Sequence, residues 1–100
     1  MPPLGAEAYA SRLAANPDDQ EARLSLARVW WAAGDQFNSL QLYQQLVEDG
    51  TFLEEVAGDL QRDLESFEHA DWYRALGDAQ MKLGHLAEAL DAYRQALTHL

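Results

Sequence analysis

Residues 23–47 read RLSLARVWWAAGDQFNSLQLYQQLV, and residues 73–97 read YRALGDAQMKLGHLAEALDAYRQAL. Superimposed at a spacing of 50, Leu26, Ala27, Gly34, Ser39 and Tyr43 fall on Leu76, Gly77, Gly84, Ala89 and Tyr93. In each stretch two apolar runs of helical period are parted by a glycine. A left-handed residue there closes one helix, and the short turn after it lays the next helix antiparallel to the first. A weaker trace comes earlier, where Gly5 and Tyr9 recur 34 residues later as Ser39 and Tyr43. The two spacings differ by 16 residues, the length of one helix. One additional helix therefore stands between two ordinary pairs, and it is the stretch 52–67.

The remaining chain is punctuated in the same way. Asn16-Pro17 stops a helix, because proline cannot continue one, and Asp18 with Glu21 three positions later forms a capping-box pattern for the next. Asp49-Gly50 ends another, and Thr51-Phe52-Leu53-Glu54 reads as a capping box that opens the additional helix. No segment alternates with the period of a strand. The pattern predicts six helices over about 5–15, 19–33, 36–48, 52–67, 70–83 and 86–99. The expected fold class is all-α, with antiparallel hairpins stacked as a short solenoid. Between Ser66 and Asp71 no proline forbids the helix from running on. A turn is expected there, because only a turn lets Tyr73 and Leu76 pack back onto the additional helix.

Apolar residues make up 48% of the 100, enough for a packed core. Lysine and arginine number 7 against 17 acidic residues, a net charge of −10. Nucleic-acid phosphates and anionic bilayers repel such a surface, so neither nucleic acid nor membrane is an expected partner. The lack of cysteine removes disulfides, thiolate metal sites and cysteine nucleophiles together. No run approaches the ~20 apolar residues of a membrane span, and Met1-Pro2-Pro3-Leu4-Gly5 has neither the basic nor the apolar region of a secretory leader. The expected setting is cytoplasmic.

Tyr73, Leu76, Gly77, Gly84, Ala89, Tyr93 and Ala96 resemble the tetratricopeptide repeat, with Gln80 where a tyrosine is usual. Leu26, Ala27, Trp30, Gly34, Ser39 and Tyr43 form a second copy, and Gly5, Tyr9 and Pro17 look like the end of a third. The resemblance implies one domain over 1–100, divided into a partial repeat 1–17, a repeat 18–50, an inserted helix 51–69 and a repeat 70–100. Small residues at Ala27, Ser39, Gly77 and Ala89 let helices approach closely, with Trp30, Tyr43, Tyr73 and Tyr93 filling the space beside them. The inserted helix carries a stripe of Leu53, Val56, Leu60, Leu64 and Phe67 that must be buried, and an acidic face of Glu54, Glu55, Asp59, Asp63 and Glu65.

By the same resemblance, the first helix of each pair lines a concave groove that binds a protein or peptide. The groove positions are Glu21, Leu24, Arg28, Trp31 and Ala32, then Asp71, Arg74, Asp78, Met81 and Lys82. Trp30 and Trp31 lie about 100° apart on a helix, so they cannot share one core. Trp30 takes the interior position, and Trp31 is expected in the groove; the alternative is that it packs under the N-terminal or inserted helix. With Trp31 and Met81 as apolar anchors, Arg28, Arg74 and Lys82 are expected to select acidic or polar ligand groups, with Asp78 beside them. The Lys and Asn pair with which some family members hold a C-terminal carboxylate is not reproduced at these positions.

Chemistry is poorly provided for. Glu65 and His69 stand at i,i+4, but no third metal ligand has suitable spacing, so a surface ion pair is the simpler reading and no metal is expected. No serine has a nucleophile context and no glycine-rich loop precedes a helix, so neither an enzyme nor a cofactor is expected. The rival to groove binding is a structural or oligomerisation module. The last helix carries Leu86, Leu90, Tyr93, Leu97 and Leu100 in one stripe that its single partner cannot cover, and a homodimer through Leu90, Leu97 and Leu100 is expected.

Overall fold

Six α-helices, with no strand, make up the residues described in the computed structural model, which are 3–100. They are α1 (Ala6–Ala15), α2 (Gln20–Ala32), α3 (Gln36–Asp49), α4 (Leu53–Leu64), α5 (Ala70–Lys82) and α6 (Leu86–Thr98). Two residues of the partial repeat 1–17, Met1 and Pro2, lie outside the described residues, as does that part of the leader reading. The helix ends follow local chemistry. Asp19 rather than Asp18 caps α2, accepting from the Ala22 amide, and Asp35 caps α3 through the Asn38 amide. Gly34 and Gly84, at φ 87° and 81°, make the two tight turns that the repeat spacing marks.

The expected capping box at Thr51 does not form. The Thr51 amide is spent on the Leu46 carbonyl, closing α3 beyond Gly50, so α4 begins one turn-step later. Phe52 precedes it in the left-handed region, φ 53°, a conformation held by packing its half-buried ring against the core. At its other end α4 stops at Leu64 instead of Phe67. The turn expected before α5 is present, and His69 opens α5 by accepting the Asp71 amide at Nδ1, 3.1 Å away.

The helices form a slab of 38 × 25 × 17 Å. α2 packs between α1 and α3, while α5 sits against α3, α4 and α6. α6 has α5 as its one extensive neighbour, as α1 has α2. Trp72, Tyr43, Leu46, Val56 and Leu60 form the centre of the core. Close approach at small residues is evident in both pairs. The buried Ser39 hydroxyl donates to the Ala27 carbonyl across α2 and α3 at 2.7 Å. A Cβ on Gly77 would stand 2.5 Å from the Tyr93 ring, so only glycine lets α5 and α6 meet there. Gln80, at the usual tyrosine position, is buried and paired with the His85 ring at 2.7 Å. Trp30 is not the interior tryptophan: it is half-buried over Ala6, Ala10 and Leu26 between α1 and α2, and fully buried Trp72 takes the central place.

Candidate functional site

The corresponding groove positions of the two repeats have different surroundings. In the first repeat, Leu24 is buried in the shared core. Arg28 donates from Nε to Asp59 Oδ2 on α4 at 2.8 Å. The Tyr43 hydroxyl donates to the same oxygen at 2.7 Å, and Arg62 donates to Oδ1 at 3.0 Å. Trp31 packs edge-on to Phe67, centroids 6.0 Å apart, and lies 6.4 Å from the Trp72 ring. The inserted helix and its following loop thus occupy the side of α2 where a ligand was expected. Arg28 is engaged with an internal carboxylate, and Trp31 belongs to an aromatic cluster under the inserted segment.

The cluster corrects the acidic-face reading of α4. Glu54, Glu55 and Glu65 are exposed, but Asp59 and Asp63 are buried. Burial alone would raise the Asp59 carboxyl; hydrogen bonds from Arg28 and Tyr43 outweigh it and hold Asp59 below its ordinary range. The same burial, with Asp59 as acceptor, pushes the Tyr43 phenol up. Asp63 has no such donors. Burial and the neighbouring Asp59 charge push its carboxyl up to about 6, and its Oδ2 lacks any hydrogen-bond partner.

In the second repeat, Arg74, Asp78, Met81 and Lys82 share the exposed face of α5, as their 4-3-1 spacing requires. Asp78, Met81 and Lys82 front a depression of about 210 Å³ with Val47, Glu48 and Tyr93. A second depression of about 150 Å³, lined by Gln44, Val47, Glu48, Ala75 and Asp78, adjoins it. The Tyr93 hydroxyl donates to Asp78 Oδ1 at 2.7 Å; partial burial and this bond push the phenol up to about 12. Lys82 donates to the Glu48 carbonyl at 2.8 Å, and Arg74 lies 3.8 Å from Asp71. The structure therefore brings together three of the six groove residues, leaves Arg74 at the strip's other end, and takes Arg28 and Trp31 elsewhere. Val47, Glu48 and Tyr93, which complete the cleft, were not singled out as site residues. Their signal is the repeat itself, since the second helix of one pair borders the first helix of the next.

Leu86, Leu90, Leu97 and Leu100 on and after α6 are 59%, 52%, 71% and 88% exposed. Glu65 and His69 are parted by the turn after α4, so they do not share a helix face. Among the described residues no group of three or more His, Asp or Glu converges as a metal site. No helix among them is long and apolar enough to cross a membrane.

Two segments of the chain match the tetratricopeptide repeat family, residues 2–53 and residues 70–100. Between them fall residues 54–69, which hold nearly all of α4 and the turn after it. Among curated proteins the chain finds no match. The first segment alone spans just over half of the sequence, and the chain belongs to the tetratricopeptide repeat family.

Proposed function

We propose that this chain is a non-enzymatic scaffold that binds a peptide or protein segment along the exposed face of α5, with Met81 as the apolar anchor. Repeats of this family generally mediate protein–protein interaction. The observation that carries the reading is the cleft itself: Asp78, Met81 and Lys82 open to solvent beside Val47, Glu48 and Tyr93. In the first repeat Arg28 is tied to Asp59 of the inserted helix and Trp31 packs on Phe67 beyond it, so the second repeat is where these side chains are left for a ligand. A random peptide library panned on the immobilised chain supplies ligands, and fluorescence polarisation then compares wild type with Met81→Ala, which removes the apolar anchor without adding charge. Binding should weaken at least about tenfold, the scale of a hot-spot residue, with helicity unchanged. Peptides that bind both proteins equally would overturn the assignment.

A second reading is favoured by the exposed leucines of α6. We infer that Leu90, Leu97 and Leu100, with Leu86, join two copies in a weak homodimer of two-fold symmetry. Light scattering on a size-exclusion column at roughly 100 μM, where about 6 kcal/mol of binding already shows, should report a dimer that Leu97→Glu returns to monomer. A wild-type monomer at that concentration ends this reading.

A further inference from the structure

The groups around the cleft between α3 and α5 specify what kind of side chain enters it. This inference rests on the reading that a partner segment binds there. We propose that the cleft is an anchor pocket for one basic side chain, an arginine or lysine of the partner.

The first argument is which charges are already matched. Two of the three cations expected to select acidic ligand groups already face carboxylates, Arg28 with Asp59 at 2.8 Å and Arg74 near Asp71 at 3.8 Å, and the third, Lys82, spends one of its three N–H donors on the Glu48 carbonyl at 2.8 Å. Lys82 caps the carbonyl end of α3, where the helix carries partial negative charge and unpaired acceptors. The acids are less fully used. Asp78 accepts one bond, from Tyr93 at Oδ1, which leaves Oδ2 available. The Glu48 carboxylate has no hydrogen-bond or ion-pair partner among the described residues. An acidic ligand group would meet two carboxylates against the single ammonium of Lys82, a local excess of negative charge. A cation would meet two open acceptors.

The second argument is shape and polarity. Val47, Ala75 and Met81 line the cleft between the two acids, with the Tyr93 ring at one wall. A long basic side chain has a matching form, an aliphatic stem that lies on apolar surface and a charged head that reaches polar groups. The two adjoining depressions, of about 150 and 210 Å³, are each of a size for one side chain. The third argument is long-range. A net charge of −10 attracts a basic segment before contact and repels an acidic one.

The test sorts the library-selected peptides by charge and measures each against Met81→Ala and the double variant E48Q/D78N. These substitutions keep the size of each side chain and let residue 78 still accept from Tyr93. Selected peptides should carry an arginine or lysine, lose at least tenfold in affinity on E48Q/D78N, and weaken as salt is raised. Acidic or uncharged peptides that are weakened by Met81→Ala but not by E48Q/D78N would overturn the basic anchor and leave the groove reading standing. Failure to select any peptide, or selected peptides indifferent to both variants, would overturn the groove reading and the anchor with it.

Discussion

Asp63 is the residue least suited to its surroundings, and its mismatch is measurable. Its carboxyl titrates near 6 in the fold against 3.8 ordinarily, so above that range the fold must ionise a buried acid beside Asp59. A raised folded pKa means that this group favours the fold below about pH 4 and withdraws that favour as pH rises through 6. The amount withdrawn is about 3 kcal/mol. Asp59, held low by Arg28 and Tyr43, acts with the opposite sign, and its contribution is lost only on stronger acidification. Melting temperature followed by circular dichroism should therefore fall between about pH 4 and 6 and level off above, and Asp63→Asn should flatten that slope. An unchanged slope would refute the assignment. Trp72 offers a second check at this scale: fully buried, it should cost about 3–5 kcal/mol in urea unfolding when replaced by alanine, and more than Trp30→Ala or Trp31→Ala. The sequence reading looked past Trp72 because its neighbour Tyr73 fits the repeat pattern. The stripe Trp72, Leu76, Ala79 and Leu83 held the better clue, since the buried stripe and the repeat's aromatic position are one residue apart. Gly77 against Tyr93 was legible, because only a missing side chain explains a glycine in mid-helix beside a large ring.

Among the helices, α4 was the one whose sides were misread. Its apolar stripe was correctly placed inward, but Val56, Ala57, Asp59, Leu60, Asp63 and Leu64 are all buried, an arc of roughly 160° at 3.6 residues per turn. The arc exceeds the stripe because α4 packs on α3 and α5 and also meets α2 through Arg28. Polarity alone cannot show that an acid will be buried when its donors come from other helices. Asp59 has two such donors, Arg28 and Tyr43, besides Arg62 on α4 itself, and its removal tests their worth. Asp59→Ala leaves the Tyr43 hydroxyl buried without an acceptor, while the half-exposed Arg28 and exposed Arg62 return to water, so urea unfolding should show a loss of about 1–3 kcal/mol. Tyr43→Phe deletes one donor and should cost nearer 1 kcal/mol. A loss at Asp59 no larger than that at Tyr43 would mean that the network is ornamental. The other helix boundaries were legible to within two residues because glycine, proline and aspartate set them. The end of α4 was not, since Phe67 continues the helical spacing yet packs with Trp31 and Trp72 from the turn.

For the molecule as a whole, stacking order was legible from repeat spacing, but the partner of the last apolar stripe was not, because amphipathicity specifies burial and not by what. Self-association and basic-peptide binding should respond oppositely to salt. Two copies at −10 repel, so raising ionic strength from about 0.01 M to 0.15 M, which shortens the Debye length from about 30 Å to 8 Å, should increase the dimer fraction in light scattering. The same change should weaken a basic peptide. A dimer fraction that falls with salt would point to charge pairing in place of leucine contact. The one-sided seating of α6 also has a consequence in time. A helix with a single extensive neighbour loses its tertiary support when that one interface opens, whereas α5 must part from three. Amides in the terminal helices therefore meet solvent through small, frequent openings, and those of α3 and α5 only when the whole slab comes apart. The surface with the exposed leucines belongs to one of these two terminal helices, and whatever covers it also slows its openings.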